Sequence, residues 1–121
     1  MLQKNMIKKN INEFEAEEVS TGKKVFKQIL IWNDVAPDFV MRKFIIEPGG
    51  EMPFHKNSLE HEQLVLKGKV EVKIGNEVFE IIKDDIVYIP AGAPHYYKTI
   101  GDEAFEFIYV VPNKEDSIEI I

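Results

Sequence analysis

Glycine and proline punctuation is the feature that most limits what this chain can fold into. Seven glycines and six prolines separate short runs rich in valine, isoleucine, phenylalanine and tyrosine. Short β-branched and aromatic runs bounded by turn residues are typical of strands. They predict strands over 25–32, 39–47, 52–56, 61–67, 69–74, 77–82, 85–89, 95–100 and 104–111, and we expect one short helix over 13–19. Many short strands at regular spacing predict an all-β sandwich or barrel.

The segment 70–81 predicts one hairpin in detail. A two-residue loop, Gly75-Asn76, fixes the register of the two strands. The register pairs apolar residues on one face and mostly charged residues on the other: Val70 with Ile81 and Val72 with Phe79, then Glu71 with Glu80 and Lys73 with Val78. One apolar face and one charged face make this register self-consistent.

Length, charge and composition limit the possible classes of protein. A chain of 121 residues predicts one domain over 1–121. Its net charge of −6 argues against a nucleic-acid partner, because such proteins need a basic face. The chain has no cysteine, and we find neither an apolar leader near the N-terminus nor a spanning helix. We therefore expect a cytoplasmic protein without a membrane partner.

All three histidines lie in two motifs, over 48–61 and 90–95. His55 and Asn57 are two apart, so on a strand they project from the same face. A hairpin-like return brings His61 back beside His55, and a rigid Pro-x-Gly-x-Pro turn sets the entry of His95. Taken singly, each histidine is more often structural than functional. Taken together, the spacing favours a metal site, because neutral imidazole is the commonest metal-binding side chain.

These motifs resemble those of the cupin family. Its first motif, G-x5-H-x-H-x3,4-E-x6-G, is similar to the order Gly50, His55, Asn57, His61, Gly68 found here. Its second, G-x5-P-x-G-x2-H-x3-N, is matched at Pro90, Gly92 and His95, with Asp84 and Thr99 at its first and last positions. The resemblance covers roughly 37–112, with motif one at about 50–68 and motif two at about 84–99. It looks closest to small single-domain cupins that bind a metal through four histidines.

The resemblance implies a fold, a cofactor and an assembly. The implied fold is a cupin-type double-stranded β-helix, a jelly-roll barrel of two antiparallel sheets. The implied cofactor is one divalent transition metal, Fe, Mn, Zn, Ni or Cu, held by His55, His61 and His95. Asn57 replaces the fourth histidine, so its weaker amide oxygen or a water completes the shell. A homodimer is expected. Residues 1–24 form an N-terminal extension, and the dimer interface is one candidate position for it.

Strand alternation extends the set of candidate site residues. If His61 and His95 point inward, so do Gln63 and Tyr97. The resemblance implies that the barrel is also lined by Arg42, Phe44, Phe107 and Tyr109. An inward Arg42 needs an anion, which is either a substrate carboxylate or an internal glutamate; the remaining alternative is that Arg42 lies at an exposed edge. Gln63 either orients a ligand or caps a wet strand end, and the aromatic residues are either core or substrate contacts.

The outward residues of the strand 61–67 predict the dimer surface. Leu64 and Leu66 point away from the barrel, and an outward apolar pair suggests a covered face. The apolar tail Ile118, Ile120 and Ile121 is one candidate to help cover it.

Two functions fit this sequence. The first is a small metal-dependent enzyme of the dioxygenase type acting on a small molecule, and the second is a non-catalytic module that binds a small ligand or metal. No carboxylate base is placed inside the barrel by strand alternation, which favours oxygen or redox chemistry over isomerisation.

Overall fold

A computed structural model describes residues 6–121, and the first five residues of the expected N-terminal extension lie outside this range. Residues 6–121 form a short 3₁₀ turn at Ile11–Glu13 and ten strands. The strands are β1 Glu17–Glu18, β2 Lys23–Ile31, β3 Phe39–Asn57, β4 His61–Lys67, β5 Lys69–Ile74, β6 Glu77–Ile82, β7 Ile86–Ile89, β8 His95–Thr99, β9 Phe105–Pro112 and β10 Ile118–Ile120. The predicted all-β fold is confirmed.

The short helix expected over 13–19 is wrong. Asn10 caps the 3₁₀ turn, which ends at Glu13. Glu17 and Glu18 then pair with β2, opposite Lys27 and Phe26. Their backbone groups are used in the sheet, so a tertiary partner overrides a weak local preference. Within the described range, no helix is long and apolar enough to span a membrane.

The strands form one curled antiparallel sheet that closes on itself as a jelly roll. The order along it is β6-β5-β8-β3-β9-β4-β7, with β2 and β10 also paired to β3 and β1 paired to β2. The N-terminal half of β3 pairs with β2 and β9, and its C-terminal half pairs with β8 and β10. Strand β3 therefore belongs to both walls of the barrel.

Strand β3 replaces the two strands expected over 39–47 and 52–56. It continues through Pro48-Gly49-Gly50, where we expected a break. A side chain at Gly50 would meet the carbonyl oxygens of Lys23 and Glu47 at 2.7 and 2.8 Å, so only glycine fits this bend. A register shift between Met52 and His55 then lets both residues face inward although they are an odd number apart.

Alternating residues of the strands fill the barrel. Most of the residues predicted to face inward on β4, β8 and β9 are buried, including Gln63, Val65, Tyr97, Phe107 and Tyr109, whereas His61 is half-buried. The predicted hairpin is also confirmed, since β5 and β6 pair in the expected register. Its inward residues Val70, Val72 and Ile81 join the core.

The apolar tail does not cover the outward face of β4. Instead, Ile118 pairs with Asn57 and Ile120 with His55, which makes β10 a neighbour of the C-terminal end of β3. Leu64 stays 44 % exposed. The tail thus closes the barrel beside the histidines.

Candidate metal centre

The three histidines meet at one end of the barrel. His55 on β3 and His95 on β8 are directly paired across the ladder, and their ring centroids are 4.2 Å apart. His61 starts β4, and its ring lies 6.4 Å from that of His95. The convergence expected from the motif spacing is therefore present in the fold.

Backbone hydrogen bonds fix the tautomers of two of these rings. The Nδ1–H of His55 donates to the Pro53 carbonyl at 2.7 Å, and that of His95 donates to the Ala93 carbonyl at 3.0 Å. A carbonyl only accepts, so Nδ1 must carry the proton in both rings. Each Nε2 then keeps its lone pair free, as in histidines that bind a metal.

Burial keeps the same two rings neutral. Burial, with a smaller contribution from the nearby His55, lowers the pKa of His95 to about 4. Burial also lowers the pKa of His55, against the opposing effect of the Pro53 hydrogen bond. Both imidazoles are thus uncharged at neutral pH, which is the form that binds a metal.

His61 is held differently. Its ring stacks on Tyr109, with centroids 5.0 Å apart, and its buried Nε2 has no hydrogen-bond partner among the described residues. Across residues 6–121, no three or more histidine, aspartate or glutamate side chains already lie close enough together to hold an ion. The donor types fit a metal, but binding one requires the side chains to draw closer.

Asn57 also faces this cluster. Its side-chain oxygen is buried and lacks a hydrogen-bond partner within the described part of the chain. Its backbone carbonyl accepts the amide of Gly92 at 2.8 Å, which joins the second motif to the first. An unpaired buried oxygen costs free energy, so Asn57 fits a role as a metal or ligand contact better than a structural one.

The turn before His95 depends on Gly92. The Ala93 amide donates to the Pro90 carbonyl at 3.1 Å, and Gly92 has a φ of +78° between them. The third residue of a type II turn requires a positive φ, and glycine adopts it without steric cost. The turn directs His95 towards His55, as the sequence predicts.

A cavity of about 250 Å³ opens next to the histidines. Its walls include nine of the ten residues proposed from the sequence for metal or substrate contacts: Arg42, Phe44, His55, Asn57, His61, His95, Tyr97, Phe107 and Tyr109. They also include residues that the sequence did not indicate: Val19, Thr21, Lys27, Met52, Asp116, Ser117 and Ile118. The cavity is therefore aromatic along its walls and polar at the histidine end.

Gln63 is the tenth proposed residue, and it stands behind the cavity wall. It is 5 % exposed, and its amide donates to the Tyr97 hydroxyl at 2.7 Å. Burial raises the pKa of Tyr97 well above its ordinary value, although the Gln63 hydrogen bond opposes this. Gln63 thus orients a neutral Tyr97 and does not cap a wet strand end.

Arg42 lies inside the cavity without a carboxylate partner. No glutamate or aspartate oxygen of the described residues lies within 4.0 Å of it, and its Nε is buried without a hydrogen-bond partner. The guanidinium carbon is 6.0 Å from the centre of the Tyr109 ring. Burial raises the pKa of Tyr109, and Arg42 offsets part of that increase. The internal ion pair considered for Arg42 is therefore not formed.

Asp116 is the main site residue that sequence reasoning missed. It lies just before β10, and its Oδ2 is 3.9 Å from Nε2 of His61. Burial raises its pKa, but interactions with His61, Ser58 and the Leu59 amide outweigh this and lower it below the ordinary value. No local pattern marks Asp116, because it reaches the site only through the pairing of β10 with β3.

Comparison with known families agrees with this architecture. Residues 42–111, which contain the three histidines, match the cupin domain family. The chain belongs to the cupin family, as its two histidine motifs led us to expect.

Individual relatives differ in what they do. The chain is 27 % identical to the polyketide cyclase RemF from Streptomyces resistomycificus, with a TM-score of 0.87 over 96 % of this chain and 85 % of that one. It is 30 % identical over 79 residues to the xanthan biosynthesis protein XanB of Xanthomonas campestris pv. campestris (64 % of this chain, 17 % of that protein). It is 41 % identical over 51 residues to quercetin 2,3-dioxygenase of Bacillus subtilis (41 % of this chain, 15 % of that enzyme). The matches thus span less than a fifth of these two curated relatives.

Proposed function

We propose that this cupin binds one divalent transition metal through His55, His61 and His95 and acts on a small molecule as an enzyme of the dioxygenase type. The observation that carries the proposal is the pair of buried, neutral imidazoles whose Nδ1–H groups are fixed by backbone carbonyls. Cupins often bind a divalent metal. Such a metal, when bound, acts as a Lewis acid or, if iron or manganese, supports oxygen chemistry.

The cavity walls favour an anionic ligand. Arg42 lines the cavity without a carboxylate partner in the described chain, and its buried Nε has no hydrogen-bond partner, so an anion at this position would satisfy it. A ligand carboxylate or enolate would meet that need. Lys27 also lines the cavity but is 3.7 Å from Glu17, so it is already partly neutralised. Arg42 is therefore the residue that we assign to hold the anion.

The aromatic residues favour a flat ligand. Phe44 lies 5.5 Å from Phe107 and 5.3 Å from Tyr109, measured between ring centroids. Tyr97 lies 5.4 Å from Phe107 and completes this wall. Tilted aromatic rings in contact give a rigid apolar surface against which a flat ligand packs and from which water is excluded. We assign Phe44, Phe107, Tyr97 and Tyr109 to ligand contacts and Gln63 to the support of Tyr97.

Oxygen uptake separates the enzyme from the alternative, a non-catalytic binding module. Purified protein loaded with Fe²⁺ or Mn²⁺ is mixed with catechols, β-diketones and thiols, and oxygen is followed with an electrode. Uptake that depends on both the metal and one ligand class, and that is lost in His95→Ala, supports the enzyme. Binding of the same compounds by calorimetry without any uptake supports the binding module.

We also propose a homodimer through the outward face of β4. Leu64 is 44 % exposed and pairs across the ladder with Ile86, which is 82 % exposed. Glu62 on the same face pairs with Tyr88, which is 54 % exposed. Leu64, Ile86 and Tyr88 thus form an exposed apolar strip on two adjacent strands, with Glu62 at its edge, as expected for a covered surface.

A further inference from the structure

The carboxylate of Asp116 is tied to the loop that carries His61. Its Oδ1 accepts the Ser58 amide at 3.0 Å, the Ser58 hydroxyl at 2.9 Å and the Leu59 amide at 3.2 Å. Three donors on one oxygen fix the position of the side chain, which is only 22 % exposed. The C-terminal segment therefore places one carboxylate rigidly at the histidine end of the cavity.

The other oxygen of Asp116 has no comparable role. Oδ2 lies 3.9 Å from Nε2 of His61, too far for a hydrogen bond. Two donors bound to the same ion, each at about 2.1 Å, lie up to about 4.2 Å apart. The separation thus suits one ion between the two atoms. Nε2 of His61 and Oδ1 of Asn57 are also buried without a hydrogen-bond partner in the described chain, so two further atoms that could bind a metal lie at this end of the cavity.

We propose that Asp116 supplies a carboxylate oxygen to the metal held by His55, His61 and His95. The inference rests on the proposed metal function and adds a negatively charged donor from outside the two motifs. A carboxylate suits harder ions such as Mn²⁺, whereas imidazoles alone suit Zn²⁺, Ni²⁺ and Cu²⁺. Asp116 therefore shifts the preference of the site towards Mn²⁺.

The variant Asp116→Asn separates this role from the support of the loop. Asparagine keeps an oxygen that accepts the three loop hydrogen bonds but loses the charge and the second carboxylate oxygen. Titration calorimetry of the metal-free full chain with Mn²⁺ and with Zn²⁺ measures the effect. We expect Asp116→Asn to weaken Mn²⁺ binding by at least about 10-fold and Zn²⁺ binding by clearly less. Glu115→Gln, an exposed acid one residue earlier, should match the unmodified protein.

The two titrations decide whether Asp116 binds the metal. Equal weakening of both metals would assign Asp116 to the loop alone, and unchanged affinities would remove it from the site. Both results would overturn the inference while leaving metal binding intact. A failure of the unmodified protein to bind either metal would instead overturn the proposed function, and this inference with it.

Hydrogen exchange on the unmodified protein gives an independent test that does not depend on the variant folding. If the metal holds Asp116, adding Mn²⁺ should slow amide exchange in β10, which begins two residues after Asp116. The same addition should leave the remote hairpin loop at Gly75 unchanged. Unaltered exchange in β10 at saturating Mn²⁺ would contradict the proposal.

Discussion

His55 and His95 face each other across β3 and β8 with ring centroids 4.2 Å apart, and each donates its Nδ1–H to the backbone carbonyl two residues earlier. This relationship fixes two Nε2 atoms on one side of the barrel before any ligand arrives. It joins the two sequence motifs into one site.

Without metal, the protein should lose stability as the pH falls from about 6.5 towards 4. The pKa of His95 is lowered to about 4, so between these values the unfolded chain binds a proton that the folded chain does not. At about 1.4 kcal/mol per pKa unit, His95 alone contributes roughly 3 kcal/mol of this loss. The lowered pKa of His55 acts in the same direction. Urea denaturation in EDTA at stepped pH measures it.

The matched variant for this prediction is His95→Gln, which removes the titrating ring but keeps a polar side chain. Its stability should fall less steeply over the same pH range. A stability that is flat or rises as the pH falls from 6.5 to 4 in the unmodified protein would show that the rings are not buried as described.

Asn57→His should raise metal affinity by at least about 10-fold, because an imidazole is a better donor than an amide oxygen and Asn57 already faces the cluster. Lys56→His is the control. Lys56 lies on the other face of β3, 3.9 Å from Glu119, so a histidine there should leave affinity unchanged. Calorimetry with Zn²⁺ compares the two, and equal affinities would mean that position 57 does not reach the metal.

Arg42→Met should make the ligand-free protein more stable by about 1 kcal/mol, because it removes a buried polar group that lacks a partner. Lys43→Met, one residue later, should instead lower stability, since Lys43 pairs with Glu106 at 2.8 Å. Denaturant titration measures both changes.

Benzoate, used as a simple aromatic anion, should raise the melting temperature of the unmodified protein but not of Arg42→Met. The anion role for Arg42 fails if benzoate stabilises both equally.

Ile86→Lys should convert the proposed dimer into a monomer, because it places a charge in the centre of the apolar strip on β4 and β7. Light scattering should give twice 14.0 kDa for the unmodified chain and 14.0 kDa for the variant. Val78→Lys, at another exposed apolar position, should remain dimeric. A monomeric unmodified protein at micromolar concentration would rule out this interface.

Asp84→Gly should stabilise the protein by up to about 1 kcal/mol. Asp84 stands where the cupin motif has glycine, and its φ of 75° lies in the left-handed region that side chains disfavour. Asp102→Gly, also at an exposed position but without a positive φ, should be slightly destabilising because glycine gains freedom in the unfolded chain. Thermal denaturation distinguishes the two, and a loss of stability in Asp84→Gly would contradict this reasoning.

Local patterns predicted most of the fold, because the alternation of apolar and polar residues along each strand is what fills the barrel. The strands from β4 to β9 begin and end within one or two residues of their expected positions. Gly75-Asn76 alone fixed the register of the β5–β6 hairpin. The two motifs likewise predicted that His55 and His95 converge, although not that their strands pair directly.

The rest could not be predicted because it depends on pairing between distant segments. The segment 113–117 that holds Asp116 is polar and short, and only the pairing of the following strand β10 with β3 makes it part of the site. The continuity of β3 through Gly50 depends on β2 packing close against it. Lys27 reaches the cavity because β2 pairs with β3, which no spacing in the sequence indicates.

Metal stoichiometry in the unmodified protein and in His95→Ala tests the central claim most directly. Metal-free protein is titrated with Zn²⁺ by calorimetry at about pH 7.5, about one pH unit above the ordinary histidine pKa of about 6.5. We predict binding of one ion per chain in the unmodified protein and its loss in His95→Ala. Binding that persists in His95→Ala, or no binding in the unmodified protein, would contradict the account.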